Sequence, residues 1–185
     1  MSERIARILS IVLHPIATLL LLVAVAAGRS RVLLLAIAIG FVPMIAVIVW
    51  QTRTRRWKNV DASVPTERHV LFGASLVFVL LLAAALRWWS PQPQAARGAL
   101  AVGAIFATAW ALLRWMKLSL HVAFAAFAAA SLAFIDQRIA IAMLVAVPWL
   151  AWARLRMKRH TMREVIGGAA LGLVAGLFFS LSGGS

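Results

Sequence analysis

What most constrains this chain is a succession of long apolar runs joined by connectors too short to hold a domain. A helix needs about 20 apolar residues to cross the hydrocarbon core of a bilayer. Seven segments approach that length: roughly 7–28, 32–51, 69–89, 98–115, 119–135, 138–153 and 164–182. Backbone polar groups in lipid must be satisfied within the segment, so each is expected to be helical. The links "GRSR", "SPQPQAAR", "RWMK" and "DQR" are short, which favours antiparallel neighbours in a bundle. The expected fold is all-α: a polytopic transmembrane bundle of six to seven spanning helices, forming one membrane domain over residues 1–185. Composition agrees, since 64% of the chain is hydrophobic, where a soluble domain has about half. The first run has no small-residue cleavage site and leads straight into another. It is therefore expected to be a retained helix and not a signal peptide.

Counting spans from the N-terminal side, the chain returns to that side at Thr52–His69, at "RWMKLSLH" and at "ARLRMKRHTMRE". All three polar, histidine-bearing segments thus fall on one expected face. That face also carries fourteen of the 19 basic residues, leaving only Arg29, Arg31, Arg87, Arg97 and Arg138 for the other. By the positive-inside rule the N-terminus and the polar face are expected to be cytoplasmic, in a bacterial inner membrane. A net charge of +14 would suggest nucleic acid for a soluble protein. Here topology accounts for it, and no nucleic-acid partner is expected. There are no cysteines, which excludes disulfides, thiolate metal sites and cysteine nucleophiles.

The chemistry-bearing residues lie in the three polar segments. His160 and Glu164 are four apart, so on a helix they share a face. A carboxylate there can accept from one ring nitrogen, fix the tautomer and present the other. Arg154 lies six residues upstream and meets the same site only if the helix breaks or a loop returns it. Its bland alternative is a solvated cluster with Arg156, Lys158 and Arg159. Ser119 is a suitable N-cap, which puts His121 in a first helical turn, where backbone N–H groups favour anions. In the long loop, Lys58 and Arg68 are the candidate phosphate clamps, and Arg68 has the bidentate geometry.

In this order the segments resemble the type-2 phosphatidic acid phosphatase superfamily, whose motifs are K-x6-R-P, P-S-G-H and S-R-x5-H-x3-D. Arg154, His160 and Glu164 reproduce the third spacing, with Ala153 for Ser and Glu for Asp. "LSLH" keeps Ser119 and His121 of the second, with Leu118 and Leu120 for Pro and Gly. Arg68 fits the first, followed by His69 for Pro. Asp61 falls at the Lys position, and Lys58 lies one helical turn earlier. The resemblance covers a phosphatase-like core of about 50–182. It implies that His160, oriented by Glu164, attacks phosphorus and forms a phosphohistidine. His121 would protonate the leaving alcohol, and Arg68, Arg154, Lys58 and Ser119 would hold the phosphoryl oxygens. No metal or other cofactor is implied, and the acidic residues are too few and scattered for a two-metal phosphate site.

The expected function is hydrolysis of a phosphomonoester or diphosphate on a lipid. The departures at Asp61 and Leu120 leave open a relative that binds lipid phosphates without turnover. A small lipid transporter or flippase is the rival from another class; no ionisable residue lies deep in a span, where a coupled transporter usually needs one. Gly168, Gly172 and Gly176 recur every four residues, a stripe for close packing of the last helix or for a homo-oligomer. His14 with Pro15 reads as a kink with a satisfied histidine. Trp57, Trp88, Trp89, Trp115 and Trp152 suit interfacial anchors.

Overall fold

The computed structural model describes residues 3–26, 28, 42, 45–47, 49–54, 65–89 and 93–181. Their regular structure is helical throughout: α1 (Glu3–Val12), α2 (Pro15–Ala26), α3 (Pro65–Trp89), α4 (Pro93–Ala111), α5 (Leu120–Leu132), α6 (Gln137–Arg156) and α7 (Met162–Leu181). Three of them, α3, α6 and α7, are long and apolar enough to cross a membrane. A fourth span is made if α1 and α2, bent by 43°, are taken together. The expected span at 32–51 falls mostly outside the described residues. The chain divides into two compact units, Met1–Arg29 with Arg114–Ser185, and Ser30–Leu113.

In the first unit, α5 is the core. It has 13 residues, hence a length of about 20 Å, short of the roughly 30 Å of bilayer hydrocarbon. The expected span at 119–135 is therefore not a spanning helix. From His121 to Leu132 every residue is buried, so α5 is surrounded by protein and need not match the bilayer. An all-round apolar run has this signature whether a helix is wrapped by lipid or by other helices.

The last helix lies directly against α5. A Cβ at Gly168 would sit 2.6 Å from the Ser119 carbonyl oxygen, and one at Gly176 2.8 Å from that of Phe127. Gly172 lies closer still to the backbone of Ala123. Contacts advance together along both helices, so α5 and α7 run parallel, and the glycine stripe is used within the chain. Outward faces stay apolar: Ile141, Leu144 and Val145 of α6, and Ile166, Val174 and Phe178 of α7, are exposed.

Helix ends follow local chemistry. Pro15 disfavours helical conformation at His14 and opens α2 at the first position, where its missing N–H is not needed. Asp136 caps α6, accepting from Arg138 N–H at 3.0 Å and Ile139 N–H at 3.1 Å. In the second unit, Phe72 of α3 meets Phe106 of α4, with ring centroids 6.3 Å apart. Trp110 Nε1 donates to His69 Nδ1 at 2.8 Å, tying the end of α4 to the start of α3. The two helices are therefore antiparallel.

Candidate functional site

The end of α6 explains how Arg154 and His160 come to one place. Arg159 N–H bonds to the Arg154 carbonyl at 3.1 Å and Lys158 N–H to that of Leu155 at 2.9 Å. Lys158 takes a left-handed conformation, φ 53°. This is a Schellman reversal built on lysine where glycine is usual. It ends the helix four residues before His160 and turns the chain back, which the six-residue spacing required.

Thr161 then starts α7. Its N–H donates to Glu164 Oε2 at 3.0 Å, and Glu164 N–H donates to Thr161 Oγ1 at 3.4 Å. These reciprocal bonds form a capping box. The same carboxylate oxygen lies 3.0 Å from His160 Nδ1. The Lys117 carbonyl oxygen lies 3.1 Å from that nitrogen. Both neighbours are acceptors, so Nδ1 carries the proton and donates. In the neutral ring the lone pair is then on Nε2. The His160 side chain is 2% exposed. It is a buried imidazole with a fixed tautomer at a helix start.

The second polar segment docks on the same helix start. Ser119 N–H donates to the Glu164 carbonyl at 3.1 Å. Ser119, Leu120 and His121 therefore lie at the His160 end of the unit, and His121 is buried. Ser119 occupies the N-cap position of α5, but its side chain does not cap the helix. Its hydroxyl is fully buried and has no hydrogen-bond partner among the described residues. The expectation of a capping serine is corrected on that point: backbone docking on Glu164 fixes residue 119, and the hydroxyl is left over.

Arg154 is 3% exposed and not part of a solvated cluster. Its Nη1 donates to Ser10 Oγ of α1 at 2.7 Å. His14, at the α1–α2 break, meets His121 with ring centroids 5.1 Å apart and planes at 87°. The first unit thus gathers His160, Glu164, Ser119, His121 and Arg154, and adds Ser10 and His14. A serine on a short amphipathic helix carries no signal for a contact 144 residues away. Thr161 was legible, since T-x-x-E before an apolar run is the capping-box pattern.

Lys58 and Asp61 fall outside the described residues. Arg68 belongs to the second unit, where it is buried with its guanidinium 5.9 Å from the centre of the Phe72 ring. No protein-family model matches this sequence, and no significant match was found among curated proteins or solved structures.

Proposed function

We propose that this chain is a metal-independent membrane lipid phosphatase, cleaving a phosphomonoester or diphosphate whose tail stays in the bilayer. The observation that carries the reading is the buried His160, with Nδ1–H directed at Glu164 and the Lys117 carbonyl. This arrangement directs nucleophilic character to Nε2. Nε2 attacks the terminal phosphorus as its bond to the leaving oxygen breaks, that of the lipid alcohol in a monoester or of the lipid phosphate in a diphosphate, and a phosphohistidine forms. His121 gives its proton to the departing oxygen, then takes one from the water that hydrolyses the N–P bond. The products are the lipid alcohol and inorganic phosphate, or a lipid monophosphate and phosphate if the substrate is a diphosphate.

Charge on the transferring group is met by Arg154 and by the first-turn N–H groups of α5, beside the buried Ser119 hydroxyl. Phosphoryl transfer depends chiefly on such positioning and cationic stabilisation. The apolar outer faces of α6 and α7 favour a substrate that approaches through lipid. Phosphatidate, a polyprenyl phosphate or diphosphate, and phosphatidylglycerol phosphate are the candidate substrates. The distribution of basic residues favours a bacterial inner membrane with the site on the cytoplasmic side.

The second reading, a binder without turnover, is favoured by Leu120. Its side chain stands at the start of α5, where a glycine would admit phosphate closest to the backbone. Phosphate release from these lipids in detergent, with chelator present, separates the two. The enzyme reading expects release that falls about 1,000-fold or more in His160→Ala. Lipid binding with no release, or release untouched by His160→Ala, refutes it.

A further inference from the structure

We propose that the break between α1 and α2 is a working part of the site, in which His14 positions the imidazole of His121 and Ser10 positions the guanidinium of Arg154. This rests on the phosphatase reading. It assigns roles to an N-terminal segment that lies outside the three polar segments.

His14 is the N-cap of α2. Its carbonyl accepts the Thr18 N–H at 3.0 Å, and its Nδ1 accepts from Ile16 N–H at 3.3 Å. An acceptor Nδ1 places the proton of the neutral ring on Nε2. Capping alone does not call for an imidazole, because Asn, Asp and Ser are the favoured residues there. What histidine adds is a ring, and that ring stands edge-on to His121 at 5.1 Å. A near-perpendicular contact at this distance is a favoured arrangement of flat rings. It restricts the orientation of the group proposed to protonate the leaving oxygen.

Ser10 lies in the last turn of α1, four residues before His14 at the break. Ser10 is buried, and its hydroxyl oxygen accepts from Arg154 Nη1 at 2.7 Å. A charge-assisted bond of this length fixes the fork direction. Serine is neutral, so this bond brings no opposing charge of its own to the guanidinium. A carboxylate at position 10 would have neutralised it. The end of α1 and the break that follows it therefore reach both the proposed clamp and the proposed acid.

The test compares wild type with His14→Asn, His14→Ala, Ser10→Ala and Ser10→Thr in detergent. Asparagine retains the cap and removes the ring, so His14→Asn is expected to keep the wild-type melting temperature. Its kcat for lipid-phosphate hydrolysis should fall about 10- to 100-fold with KM little changed, the scale of a misplaced reacting group. His14→Ala loses the cap as well and should also melt lower. Ser10→Ala should raise KM about 10-fold, and Ser10→Thr should restore it, since its hydroxyl can take the same bond. The chain has four histidines, so ¹⁵N-histidine spectra are tractable. The His121 ring signals should move in His14→Asn, since the ring in contact with it is gone.

Unchanged kcat together with unmoved His121 signals in His14→Asn overturns the role of His14. Unchanged KM in Ser10→Ala overturns that of Ser10. Should wild type hydrolyse no lipid phosphate, the phosphatase reading falls, and the ring spectra still decide whether His14 fixes His121.

Discussion

Replacing Gly168 with alanine puts a methyl group where α7 presses on the chain entering α5. The added Cβ would lie 2.6 Å from the Ser119 carbonyl oxygen, 3.3 Å from its nitrogen and 3.4 Å from its carbonyl carbon. All three are backbone atoms, so no rotamer change relieves the overlap. A carbon–oxygen contact settles at about 3.3 Å or more, so the two segments must part by roughly 0.7 Å. That motion strains the Ser119 N–H bond to the Glu164 carbonyl, now 3.1 Å. Overpacking of this kind costs about 1–3 kcal/mol, and a weakened hydrogen bond adds up to about 1 kcal/mol. The better helix propensity of alanine offsets up to about 1 kcal/mol. The expected net loss is about 1–3 kcal/mol. Gly167 is the control. There the Cβ would meet Leu118 Cδ2 at 2.7 Å and Met116 Cε at 3.1 Å, the ends of side chains that can swing aside. Gly167→Ala should stay within about 1 kcal/mol of wild type. Unfolding in mixed micelles at rising dodecyl sulfate fraction, followed by tryptophan fluorescence, measures both. If Gly168→Ala is as stable as Gly167→Ala, the close backbone approach of α5 and α7 is wrong.

Two further substitutions separate scaffold from chemistry. Asp136→Ala removes a cap with two backbone donors and should cost about 1 kcal/mol in the same unfolding assay, leaving phosphate release unchanged because Asp136 is at the far end of α6 from Arg154. Glu164→Gln keeps an amide oxygen for the Thr161 N–H and should change stability by less than about 1 kcal/mol, while phosphate release falls about 100-fold or more because a neutral amide no longer stabilises the positive charge that builds on the His160 ring as Nε2 attacks.

The helices α3, α6 and α7 were legible because a long apolar run between charged ends has few alternatives. The role of α5 was not. Its run is as apolar as theirs, and hydropathy does not say whether the surrounding medium is lipid or protein. The break at His14 was legible from Pro15, and the His160–Glu164 pair from its spacing, since both are local. The positioning of Arg154 was harder, because it depends on a chain reversal at Lys158, where no glycine announces one. Its contact with Ser10 and that of His14 with His121 are tertiary, set by how α1 and α2 pack on α6 and α5. No local pattern encodes them.

The two parallel helices that meet at this end differ in how their N-termini are satisfied, and the difference decides where an anion would go. The start of α7 carries its own carboxylate, since Glu164 closes the capping box with Thr161. An incoming phosphate would meet negative charge there. The start of α5 carries none: Ser119 leaves the cap unmade, and its buried hydroxyl has no partner among the described residues. Each helix start bears the equivalent of about half a positive charge, and only that of α5 is not offset by a carboxylate in its own first turn. Holding Glu164 on α7 therefore does two things. It orients His160, and it makes the neighbouring helix start the more favourable place for the group that His160 would attack.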